Sequence, residues 1–214
     1  MAVVAVVVGV NVHATLPAVL ERLQGLQVIV VDDGSQPPLP QATHTHSKNR
    51  GYGAAQKTGY RAALDLGAER VVMVHGDGQY SVEDCLALAE ALDDADICLG
   101  SRFLAPDRGA IIPWWRRGAN RALTTLGNRA LGVRLTEMHT GARAYRASAL
   151  AGIPFGDFSD DYVFDQQLIA AMARKGLCFA ERPVRVVYDD TVQSISFRRS
   201  VRYGLGCVRE LFRR

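Results

Sequence analysis

Three features of the sequence predict an α/β chain built on a mostly parallel sheet with helices on both faces. Short β-branched runs alternate with segments whose apolar residues recur at helical spacing. The runs are apolar at consecutive positions, as strands buried on both faces are. Two acidic, glycine-bearing stretches, "DDGS" and "HGDGQY", follow two of the runs without a spacer, and ligands of such sheets bind outside the carboxyl ends of strands.

The strands expected first are Val3–Val10, Val28–Val31, Val71–Val74 and Ile97–Leu99. Between them, Leu16, Val19, Leu20 and Leu23 make one helical stripe, with Thr15 as its N-cap and Pro17 tolerated in the first turn. Ala54–Leu66 is a second helix. "SVEDCLALAEAL" is a third, its Ser81 and Asp84 spaced as a capping box. The second half is less regular. Trp114–Leu131 reads as an amphipathic helix, "MHTGARAY" as a strand and Ser159–Lys175 as a helix. Strands at Leu177–Glu181 and Val184–Tyr188 and a last helix from Phe197 complete the pattern. With no internal repeat, linker or break in composition, residues 1–214 read as one domain.

Of the 214 residues, 48% are hydrophobic, enough for a substantial core. A net charge of +3 carries no nucleic-acid signature. Cys85, Cys98, Cys178 and Cys207 lack metal or disulfide spacing, so reduced thiols in a cytoplasmic protein are expected. "MAVVAVVVGV" reads as a first buried strand, too short for a membrane span and without a basic leader. The expectation is a cytoplasmic chain whose only membrane contact would be peripheral.

"VIVVDDGS" places Asp32 and Asp33 after a buried strand, where carboxylates accept hydrogen bonds from a nucleobase or ribose, or simply make turn chemistry. "NRGYGAAQKTGYRAAL" has glycines at 51, 53 and 59 entering a helix, a start that could face an anion. In "HGDGQY", His75, Asp77 and Gln79 alternate and can present ligands toward one point. One carboxylate makes a poor cage for a divalent ion by itself, but it suits an ion shared with a substrate's phosphates.

Taken in order, "VVDDGS", "NRGYGAA…TG", "VHGDGQ", "LGSRF", "TGARAYR" and "ERPVRVVY" resemble family 2 glycosyltransferases over nearly the whole chain, most of all the dolichyl-phosphate mannose synthase-like members. The resemblance implies a GT-A fold, a UDP- or GDP-sugar donor, Mn²⁺ or Mg²⁺, and inversion at the anomeric carbon. By residue it implies donor binding by Asn11, Asp32, Asp33, Asn49, Gly51, Gly53, Gly76, Asp77 and Arg117, with Asp32 and Asp33 on the base and ribose. Metal ligation falls to Asp77, His75 and Gln79, and catalysis to Asp161 as base with Asp160 beside it. Arg102 and Arg117 are the cations that would hold a phosphate acceptor.

Three departures stand out. His75 replaces the first acid of the family's Asp-x-Asp motif, Val8 and Val12 replace a proline and an acid near Asn11, and His139 stands where an aspartate is usual. Imidazole suits Mn²⁺ better than Mg²⁺.

"FRRSVRYGLGCVRELFRR" carries six arginines against one acid, Glu210, and Phe197, Val201, Leu205, Val208 and Phe212 fall on one helical face. That helix docks on the domain, lies on an anionic leaflet where an acceptor would be presented, or does both. The expected activity is therefore an inverting glycosyltransferase acting on a polyprenyl phosphate or other lipid-linked or glycan acceptor. Against it stand a sugar-phosphate nucleotidyltransferase, which would want a Lys/Arg-bearing loop after the first strand, and a degenerate sugar-nucleotide binding module.

Overall fold

The computed structural model describes residues 2–105, 114–186 and 197–212, with side chains of the last stretch from residue 202 onward. The chain runs β1 (Val3–Gly9), α1 (Leu16–Glu21), β2 (Gln27–Asp32), β3 (His44–Thr45), α2 (Tyr52–Asp65), β4 (Arg70–His75) and α3 (Val82–Glu90). It continues with β5 (Ile97–Ser101), α4 (Trp114–Leu131), β6 (Arg143–Arg146), α5 (Ala147–Ala151), α6 (Val163–Arg174), β7 (Phe179–Pro183) and α7 (Phe197–Leu211). The strands form one sheet in the order β3-β2-β1-β4-β6-β5-β7. Neighbours are parallel except around β6, which runs antiparallel to both β4 and β5.

The unbroken apolar runs arise because both sheet faces are covered. From β1, Val4, Val6 and Val8 enter a core with Tyr60 of α2 and Phe164 of α6. Ala5 and Val7 enter a second core with Leu16 and Val19 of α1 and Leu88 of α3. Each such valine contributes roughly 1.5–3 kcal/mol on burial, so the sheet's centre is where the fold is most strongly specified.

Several local expectations are corrected. Thr15 stands at the N-cap of α1 as expected but makes no side-chain cap bond; its hydroxyl instead donates to the Gly76 carbonyl at 2.7 Å, tying the start of α1 to the loop after β4. The capping box of α3 is half made: Ser81 Oγ accepts from the Asp84 amide, while the Asp84 carboxylate takes the Arg185 amide and guanidinium. α6 starts at Val163 rather than Ser159, so residues 159–162 form a loop. "MHTGARAY" is strand only over Arg143–Arg146. The strand expected at Val184–Tyr188 is a single bridge, Val186 to Tyr80, with 187–188 outside the described residues.

Candidate active site

The register of the central strands builds the site. Gly9 pairs with Asp32 and Val8 with His75, so the loops after β2 and β4 emerge side by side on either edge of β1.

Asp32 and Asp33 hold this rim together. Asp32 is fully buried; one oxygen accepts from the Ser35 amide and hydroxyl at 2.8 and 2.5 Å, the other from the Leu39 amide at 2.9 Å. Burial alone would raise its pKa, but these donors outweigh it and hold the carboxyl below its ordinary value. Asp33 accepts from the Arg50 and Gly51 amides, both at 2.9 Å, and pairs with His46 at 2.6 Å. Every carboxylate oxygen of the pair thus already accepts a hydrogen bond from the chain. Asn11, in the left-handed region at φ 56°, is exposed and ties the loop after β1 to the loop after β2. Its amide donates to Ser35 Oγ and its side-chain oxygen accepts from Gln36. Asn49 is exposed beside the same rim, where a Cβ at Gly34 would fall 2.5 Å from its backbone nitrogen.

Gly51 and Gly53 do not cradle an anion here. The amides of Gly53 and Ala54, which open α2, donate to the Asp160 carbonyl at 2.8 and 3.2 Å. A Cβ at Gly51, whose φ is +108°, would fall 2.4 Å from that oxygen, and one at Gly53 would fall 2.5 Å from the Ser159 carbonyl. These glycines let the 159–161 loop close on the helix start. The Asp160 carboxylate pairs with Lys57, and among the described residues the exposed Asp161 carboxylate accepts only the Tyr162 amide, at 2.8 Å. Tyr162 stacks on Tyr52 with centroids 5.1 Å apart, and the Tyr52 hydroxyl lies 3.1 Å from His75 Nε2. The acidic loop and the mouth of β4 are therefore joined through two tyrosines.

Asp77 and Gln79 are half-buried at that mouth, with the Gln79 amide donating to Asp77 Oδ1 at 3.0 Å. Gly76 continues the β1 ladder, its amide donating to the Val8 carbonyl. Among the described residues no group of three His, Cys, Asp or Glu side chains could enclose a metal ion. One carboxylate and one carboxamide fit a hard divalent cation that draws its remaining ligands from phosphate and water.

Arg102 differs from its expected role. Its amide and Nε donate to Glu137 at 2.8 and 2.9 Å, and its guanidinium forms an ion pair with that fully buried carboxylate. It neutralises a buried acid rather than standing open for a phosphate. Arg117, half-buried on α4, makes no ion pair among the described residues.

Sequence reasoning missed the parts that support these residues. Arg143 is fully buried, pairs with Asp165 and donates to the carbonyls of Thr140, Met138 and Asp165. His139 Nδ1 meets the Tyr203 hydroxyl of α7 at 2.9 Å. Burial, with the nearby Arg143 and Arg102 cations, pushes its pKa down to about 3.

α7 docks beside the expected stripe: Val208 of that stripe is half-buried, and the side chains of Phe197 and Val201 lie outside the described residues. Cys207, Glu210 and Leu211 are buried, and Glu210 pairs with Arg174 of α6. Leu205 and Phe212 remain 68% and 66% exposed, beside exposed Arg202 and Arg209. The helix therefore keeps an outward face that is both apolar and basic. Among the described residues no helix is long and apolar enough to cross a membrane.

The model of the family described as glycosyl transferase family 2 matches residues 5–153. An undecaprenyl-phosphate mannosyltransferase of Micrococcus luteus is 29% identical over 212 residues, covering 91% of this chain and 87% of that protein. A polyprenol monophosphomannose synthase of Mycolicibacterium smegmatis is 28% identical over 194 residues, covering 81% and 73%. Glucosyl-3-phosphoglycerate synthase of Mycobacterium tuberculosis, solved with Mn²⁺, UDP and glucosyl-3-phosphoglycerate, shares the fold with a TM-score of 0.68 at 16% identity, over 98% of this chain and 78% of that one. With most of the sheet inside the matched segment, the chain belongs to glycosyl transferase family 2.

Proposed function

We propose that the protein is an inverting glycosyltransferase that moves a sugar from a nucleotide-diphosphosugar to a polyprenyl phosphate. The observation that carries this reading is the juxtaposition at the carboxyl ends of β1, β2 and β4. Asp77 and Gln79 stand at that mouth, and the exposed Asp161 is joined to it through Tyr162 and Tyr52.

Asp77 and Gln79 would hold Mn²⁺ or Mg²⁺ together with the donor's diphosphate; the bound cation screens the charge that develops as the diphosphate leaves. Inversion is a single displacement, in which the acceptor oxygen bonds to the anomeric carbon as the bond to the diphosphate breaks. A hydroxyl acceptor must lose a proton during attack, and Asp161 is the available base. A phosphate acceptor is already anionic and needs no base. Asn11, Asn49 and the rim held by Asp32 and Asp33 border the space for base and ribose, and Arg117 is the cation left to meet an acceptor phosphate.

Two features favour the lipid phosphate. The Micrococcus and Mycolicibacterium relatives are named for undecaprenyl phosphate and polyprenol acceptors. Arg202, Leu205, Arg209 and Phe212 make an outward face of α7 suited to an anionic leaflet, where each basic residue contributes about 1 kcal/mol. The protein would then act as a peripheral membrane enzyme.

The test is incubation with UDP- and GDP-sugars and Mn²⁺, with and without a polyprenyl phosphate. Release of nucleoside diphosphate that depends on the lipid is expected. Pyrophosphate release would indicate nucleotidyl transfer, and binding without turnover a sugar-nucleotide binding module. Co-sedimentation with anionic vesicles should fall in a Leu205→Glu, Phe212→Glu double variant, and unchanged binding would remove α7 from the membrane contact.

A further inference from the structure

His75 neighbours Asp77 at the mouth of β4, yet its ring is turned inward. Its Nε2 lies 3.1 Å from the Tyr52 hydroxyl, and the Tyr80 ring packs on it with centroids 5.0 Å apart. Gly141 closes the same edge so tightly that a Cβ there would fall 2.3 Å from Nε2. A cation has no room at that nitrogen. Nδ1 is the nitrogen left for the site.

Which nitrogen carries hydrogen follows from Tyr52. Its hydroxyl has no other hydrogen-bond partner among the described residues, and a phenol has one proton to donate. Were Nε2 protonated, the ring would donate to the phenol and leave the phenol's own hydrogen without an acceptor from the chain, at a cost. A phenol keeps its proton at neutral pH, so the hydrogen stays on the oxygen.

We infer that Tyr52 is a positioning residue that locks His75 in the tautomer protonated at Nδ1, so that His75 offers the donor's diphosphate a hydrogen bond instead of offering the metal a ligand. This rests on the proposed function. It leaves Asp77 and Gln79 as the cation's protein ligands and makes the His-x-Asp variant a change of role at the first position. An N–H aimed at a diphosphate that gains charge on departure favours the same transition state as the cation does.

Two measurements test it. In ¹⁵N-histidine spectra of the free protein, His75 should show hydrogen on Nδ1 and a bare Nε2. Tyr52→Phe, which keeps the ring stacked on Tyr162, should abolish that preference. A wild-type ring protonated at Nε2 would overturn the lock. Mn²⁺ affinity, read by electron paramagnetic resonance with UDP and GDP in parallel, should be nearly unchanged in His75→Ala, whereas weakening a ligand's support costs about tenfold or more. The same variant should bind the nucleoside diphosphate about tenfold more weakly, as loss of a hydrogen bond to a charged group predicts. A nitrogen coupling to Mn²⁺ that disappears in His75→Ala would restore His75 as a ligand and overturn the proposal. A protein that bound neither nucleotide, yet kept the Tyr52-dependent tautomer, would sink the transferase reading and the diphosphate role while the lock itself stood.

Discussion

Two pairs of adjacent aspartates look alike in the sequence and sit in opposite surroundings. Asp32 and Asp33 are buried, and each of their four oxygens accepts from an amide, a hydroxyl or His46. Asp160 and Asp161 lie exposed on a loop, the carboxylate of one paired with Lys57 and that of the other engaged, among the described residues, only by the next residue's amide. A carboxylate whose oxygens are all occupied by the chain builds a rim; one that faces solvent on a braced loop is available for chemistry. Arg102 and Glu137 belong with the first pair.

Substitutions at the two pairs and their partners test the contrast. The largest effect is expected from Arg102→Met, which leaves Glu137 buried and unpaired and should lower folding stability by about 3–5 kcal/mol in urea titrations. A marginal loss would show that Glu137 finds another partner. Asp33→Ala should follow at about 3 kcal/mol, since it removes charged acceptors from two amides and a buried imidazole, whereas Asp161→Ala should leave the same titration unmoved. Equal losses would erase the distinction between the pairs. Asp77→Asn should reduce turnover on the order of 10²-fold in a correctly folded protein.

Asp32 adds a pH signature. Its folded pKa is depressed, so its stabilisation is complete above the ordinary carboxylate value and is lost as pH falls through and below it. Asp32→Asn should be less stable at neutral pH, and its deficit should shrink in acid. A deficit independent of pH would mean that loop packing, not charge, is what Asp32 provides. The smallest effect is expected at Asp161: with a polyprenyl phosphate acceptor, Asp161→Asn should change turnover only a few-fold, far from the 10²–10⁴-fold loss of a required base.

What was legible in the sequence was whatever depends on local pattern. The apolar runs of β1 and β4 marked the central strands, and "DDGS" and "HGDGQ" marked the strand ends where the proposed site lies. Roles that depend on partners distant in sequence were not legible. Nothing in "RGYG" says that the carbonyl closing on it comes from Asp160, and nothing in "GSRF" announces Glu137, 35 residues away. β3 escaped because two polar residues at a sheet edge carry no hydrophobic period. The stripe of the last helix was read correctly as apolar. Which face docks was decided instead by Tyr203 meeting His139 and Glu210 meeting Arg174.

The antiparallel β6 has a consequence for synthesis. It lies between β4 and β5, yet the chain makes both of those strands, and the long α4, before it reaches Arg143. A nascent chain that has emerged as far as residue 131 therefore carries two apolar strands whose facing edges lack their shared neighbour, the kind of open edge that recruits other chains. The sheet cannot close until the four residues of β6 arrive. A chaperone that covers exposed strands would have its target in that interval, and a ribosome stalled there would display both unpaired edges.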